Sequence, residues 1–213
     1  MSKIDAAILE ALAKAMTLSE RELNASAGTE SEHICWAKTN FIKHFTKDVF
    51  FLNNHSEDDN FPRRYGNLII RDMLEQLIEF LYLLKNHHLA EEYLGLTINF
   101  DEVNRKTSLV NKEKLFGNER YNRESAGRPS VADMAKDIGE KRSADGSLTL
   151  YKLYQILSER CHNAYFHSLL DDINKVNSSI PASGLDGGQI NAILIMATIV
   201  LTEYRYDVKK SRN

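Results

Sequence analysis

Apolar side chains recur at a helical period along most of this chain, and the breaks between the periodic stretches are polar. Residues 3 to 23 carry Ile4, Ile8, Leu12, Met16 and Leu18 at helical spacing, with Ser2 and Asp5 as a capping pair. Thr29 and Glu32 form a second start of the T-x-x-E type. After it Ile34, Cys35, Phe41, Ile42, Phe45, Val49 and Phe50 predict a second amphipathic helix. The polar stretch 53 to 60, ending in Phe61-Pro62, reads as a loop. A third helix is predicted over about 63 to 86. There Ile69, Ile70, Met73, Leu74, Leu77, Ile78, Phe80, Leu81 and Leu84 cover about half of the helical circumference. An apolar arc that wide belongs to a central helix touched from several sides.

The middle of the chain departs from this pattern. A short helix is expected at Leu89 to Leu94, and the stretch from 97 to 148 is polar. It reads as one helix near 101 to 116, a loop through Gly117 to Pro129, and a short helix capped by Ser130 and Asp133 and ended by Gly139. A turn follows at Ala144-Asp145-Gly146. A fifth long helix is expected from about Leu148 to Leu170, with Leu150, Leu153, Tyr154, Leu157, Cys161, Ala164 and Tyr165 on its core face. The Ser/Pro/Gly-rich connection 177 to 188 leads to a final helix from Gln189 to about Asp207. The expected fold is a single all-α domain over residues 1–213, a helical bundle with a polar excursion in the middle.

Composition agrees with that picture. Only three Pro and ten Gly occur in 213 residues, so helix breakers are scarce. Hydrophobic residues make up 43% and charged residues 27%, the balance of a chain that folds rather than one that stays disordered. Cys35 and Cys161 are too few for a disulfide framework and lack metal or redox spacing. With Lys3, Asp5 and Glu10 interrupting the N-terminal stretch, this suggests a cytoplasmic protein. The most apolar run, Ile190 to Leu201, falls short of the roughly 20 residues of a membrane span and reads as a buried helix.

Motifs for nucleotide binding, zinc proteolysis, serine hydrolysis and calcium loops do not occur, and no metal or cofactor is expected. Gly187-Gly188, ahead of a helix, is most simply a turn. Two polar groupings flank apolar helical faces. On the third helix Arg71, Glu75 and Tyr82 lie within about 40° of one another, and Arg71 and Glu75 can pair at i, i+4. On the fifth, Ser158 and His162 flank one edge of the core face, while Arg160 and His167 flank the other. Packing the two apolar faces brings Arg71 and Glu75 toward Ser158 and His162, forming one polar cluster. Residues 105 to 128 hold seven basic and three acidic side chains, a local charge of +4 within a chain of net charge −3. Lys112, Lys114, Arg120 and Arg123 are its candidate binding residues, with Phe116 and Tyr121 as stacking surfaces.

Two resemblances meet at these helices. The run Ile70-Arg71-Asp72-Met73-Leu74-Glu75, the run Pro129 to Gly139, and Tyr154-x-x-x-Ser158-x-x-x-His162 resemble a widespread bacterial all-helical family of unknown function, over about residues 30 to 170. That resemblance implies an all-helical fold and no activity. The segment Arg160 to His167 is similar to the R-x(4–6)-H signature of HEPN ribonucleases, whose bundles often dimerise to build an RNA-cleaving site. This implies Arg160 as a stabiliser of charge at phosphorus and His167 as a proton carrier. Cys161 stands where that family usually has a polar residue.

Two functions follow. One is an interaction or ligand-binding bundle whose interior cluster is built from Arg71, Glu75, Ser158 and His162, with Tyr82 and Tyr154 as further candidate binding residues. The other, the enzymatic alternative, is a metal-independent HEPN-like endoribonuclease of a defence or toxin system that uses Arg160 and His167. The partners these readings imply are a second copy of the chain, an RNA or another protein, and no membrane.

Overall fold

A computed structural model describes residues 4–57, 61, 63–90, 129–139, 149–162 and 184–210. Six α-helices account for most of them: α1 (Ala6–Ser26), α2 (Glu32–Asn54), α3 (Arg63–Lys85), α4 (Val131–Asp137), α5 (Leu150–His162) and α6 (Gly187–Lys210). A 3-10 turn, His87–Leu89, follows α3; the short helix expected at Leu89 to Leu94 lies, beyond Ala90, outside the described residues. The protein is all-α, and no strand occurs among the described residues.

The wide arc on α3 does what its breadth requires. Ile70, Met73, Leu74, Leu77 and Ile78 are fully buried, and α3 packs against α2, α4, α5 and α6. Helix α1 instead pairs with α2 and touches α6. One apolar cluster runs through all six helices, from Ile4 to Tyr204. Ile193, Met196, Ala197 and Val200 of the apolar C-terminal run lie inside it. Among the described residues no helix is long and apolar enough to cross a membrane.

Helix starts follow local chemistry. The Asp5 carboxylate caps α1 by accepting from the Ala7 N–H. Ser130 caps α4 through the Asp133 N–H, and Gly139 follows in the left-handed region with φ +77°. Helix α2 begins later than its T-x-x-E pattern suggests, at Glu32. The Glu32 carboxylate reaches back to the N–H of Gly28 rather than Thr29. Helix α6 begins two residues early because Asp186 and Gln189 exchange side-chain and backbone bonds at 2.8 and 2.9 Å, a capping box.

Two apolar positions face differently from expectation. Leu18 is exposed because it lies about 120° around α1 from the buried Leu12. Phe50 is also exposed, displaced from the core by Val49 and Leu52.

The C-terminal helix is docked by two glycines. A Cβ on Gly66 would lie 2.8 Å from Leu185 and 2.9 Å from Gln189, whose amide donates to Asn67 of α3. Gly184, at φ +71°, passes so close to Ser56 that a Cβ would lie 2.4 Å from its carbonyl oxygen. The Gly184 and Leu185 N–H groups donate to the carbonyls of Phe61 and Ser56, clasping the α2–α3 loop to the start of α6.

Candidate functional site

Helices α3 and α5 pack against each other, and Leu74 and Leu77 of the first and Leu150, Leu153 and Leu157 of the second are buried in the common core. This packing carries the flanks of both apolar faces together. At that margin Arg71 reaches across from α3. Its Nε donates to Ser158 Oγ at 3.1 Å and its Nη2 to Tyr154 Oη at 3.0 Å. The guanidinium carbon also lies 5.3 Å from the Tyr154 ring centroid, a cation–π distance. The Glu75 carboxylate, one turn along α3, sits 3.5 Å from the same Nη2. Glu75 is nearly buried, with 12% of its side chain accessible, against 31% for Arg71.

Burial works against the charge on Arg71. The hydrogen bond and charge interaction with Tyr154, then the charges of Glu75 and Cys161, outweigh it and leave the guanidinium pKa above its ordinary value. Cys161, half-buried on α5, feels the same charge in reverse. Burial pushes its thiol up, and Arg71 draws it part of the way back. The thiol is therefore a protonated, weakly nucleophilic neighbour at neutral pH.

Of the cluster expected from Arg71, Glu75, Ser158 and His162, the structure places Arg71 against Glu75 and Ser158. Tyr154 joins them, its ring packed against the core and its hydroxyl in the cluster. His162 ends α5 in the backbone, but its side chain lies outside the described residues, as do His167, Lys112, Lys114, Arg120 and Arg123. Arg160 is half-buried on α5. Tyr82, two turns beyond Glu75, packs against the apolar core.

A second polar group was not visible from the motifs. Lys38 on α2 is buried, with 7% of its side chain accessible, and its Nζ lies 2.9 Å from Glu22 Oε2 on α1. The contact is an ion pair without hydrogen-bond alignment. Tyr204 of α6 donates to the other Glu22 oxygen at 3.2 Å, and its ring centroid lies 5.6 Å from the ammonium. A signal did exist. Lys38 stands four and seven residues before the core positions Ile42 and Phe45, so it lies on the buried stripe.

No triad of metal-binding side chains occurs among the described residues. Comparisons with family models, with curated proteins and with solved structures find no match.

Proposed function

We propose that this chain is a binding bundle whose working site is the polar cluster between α3 and α5. The observation that carries the reading is the position of Arg71. It is fixed to α5 by two hydroxyl acceptors, yet about a third of its side chain remains accessible. A guanidinium used only as a structural clamp is expected to be enclosed by its partners. One held rigid by hydroxyls and left open is preorganised to meet a ligand or partner group.

The test compares Glu75→Gln with wild type for stability and for ligand response in a thermal-shift screen of small polar molecules. A binding site is expected to yield compounds that raise the wild-type melting temperature and lose that effect in the variant, with the unliganded melting temperature nearly unchanged. A variant that is destabilised while its ligand response stays intact would contradict the reading. The ribonuclease alternative requires His167, outside the described residues. Metal-free cleavage of mixed RNA that disappears in His167→Ala would put it in first place.

A further inference from the structure

The hydrogen bonds of the α3/α5 cluster have a direction, and the direction selects a ligand. A guanidinium can only donate. Ser158 Oγ and Tyr154 Oη therefore both act as acceptors toward Arg71. Each hydroxyl uses a lone pair in that bond and keeps its proton to donate elsewhere. Neither proton has an acceptor among the described residues, and the same holds for the Nη1 edge of the guanidinium. Glu75 pairs with the guanidinium through Nη2, at 3.5 Å. The half-accessible side of the cluster thus presents two hydroxyl protons and the free edge of a fixed cation.

From this we infer that the cluster binds the oxyanion of a small ligand, a phosphate or carboxylate group, received by Arg71 Nη1 and by the hydroxyls of Tyr154 and Ser158. A carboxylate or phosphate group carries lone pairs enough on adjacent oxygens to accept from all of these donors together, and a charged acceptor makes the stronger bond. Glu75 keeps the net charge of the cluster low, so a bare anion binds weakly, and the rest of a natural ligand adds to its affinity. This inference rests on reading the cluster as a ligand site.

The test is a titration of the full chain, followed by the Arg71 Nε–H resonance and the backbone amides of Arg71, Tyr154 and Ser158. Inorganic phosphate and acetate are added separately against sodium chloride at matched ionic strength. The phosphate and acetate arms show which oxyanion is preferred. The expected result is saturable shifts with at least one of the two, weakened about 10- to 150-fold in Ser158→Ala and in Tyr154→Phe, the loss of one bond to a charged group. Shifts that match the chloride control, or that persist unchanged in both variants, would overturn it. Spermidine and glucose serve as parallel probes. Saturable binding of either at these resonances, with no response to phosphate or acetate, would overturn the oxyanion class and leave the ligand-site reading standing. Silence toward all four would remove both.

Discussion

The bundle contains two joints made from the same ingredients, a cation, a carboxylate and a tyrosine, and they end in opposite states. At the α1/α2/α6 joint the carboxylate is the hub. Glu22 receives the Lys38 charge on one oxygen and the Tyr204 hydroxyl proton on the other. At the α3/α5 joint the cation is the hub. Arg71 donates to the hydroxyls of Tyr154 and Ser158, while Glu75 stands back at 3.5 Å. In the first joint the tyrosine proton is consumed inside the protein; in the second it has no acceptor among the described residues. The difference lies in donor and acceptor count. Lys38 and Tyr204 both point their charge or proton at an acceptor that can take them. Arg71 brings five N–H donors to hydroxyls that each carry a donor of their own. Among the described residues the first joint satisfies its tyrosine proton, and is closed in that sense, while the second does not, and is open.

Mutations should separate the joints. Lys38→Ala leaves the Glu22 charge partly buried without its cation, and about 3 kcal/mol of stability should be lost in chemical denaturation. A loss below about 1 kcal/mol would mean that the Lys38 pair is no more structural than a surface ion pair. Arg71→Ala should cost less, about 1–2 kcal/mol, because Glu75 stands back at 3.5 Å and keeps a further partner, while water can satisfy the part-solvated hydroxyls. If Arg71→Ala proved the more damaging of the two, the assignment of closed and open joints would be reversed. The tyrosines sharpen the contrast at smaller scale. Tyr204→Phe removes a proton bonded to a carboxylate and should cost about 1 kcal/mol, while Tyr154→Phe should cost about 0.5 kcal/mol. Equal losses in parallel melts would show that hydroxyl direction does not matter here.

A third place shows what happens where two carboxylates stand near each other. Asp48 on α2 is half-buried near Asp72 on α3. Burial first, and the Asp72 charge second, raise its carboxyl above the usual range, with His44 drawing it partly back. The folded chain therefore keeps this proton to a higher pH than the unfolded chain does. The group's contribution to stability is greatest in acid and falls as pH rises through the raised value. Asp48→Asn is expected to melt slightly above wild type at neutral pH, with the gap closing as the pH falls toward the ordinary aspartate range. A gap that widens in acid would have the opposite sign and exclude this origin.

These joints also show how far the sequence could be read. The α3/α5 joint is legible because Arg71, Glu75 and Ser158 break the apolar pattern at its margin, where the period of the helix says which faces meet. Tyr154 is half legible. Its spacing places the ring in the core but says nothing of where the hydroxyl ends. The closed joint is hidden for a physical reason. A lysine within a buried stripe looks like an ordinary solvated lysine until the elements that bury it are in place. Glu22 and Tyr204 lie 16 and 166 residues from Lys38, on helices whose packing no local period fixes. The early start of α6 was readable from Asp186-Gly-Gly-Gln189, which has the spacing of a capping box.

The openness of the α3/α5 joint is tested most directly by melting the wild type, Ser158→Ala and Arg71→Lys in phosphate and in chloride at equal ionic strength. Phosphate also stabilises folded proteins by exclusion from their surfaces, and that part should be common to all three chains. Beyond it, the wild type should gain an increment that grows with the logarithm of phosphate concentration once the site fills, about 1.4 kcal/mol for a tenfold excess over its dissociation constant. Both variants should lose most of that increment. An identical phosphate response in all three proteins would contradict the account and make the α3/α5 joint a second structural clamp.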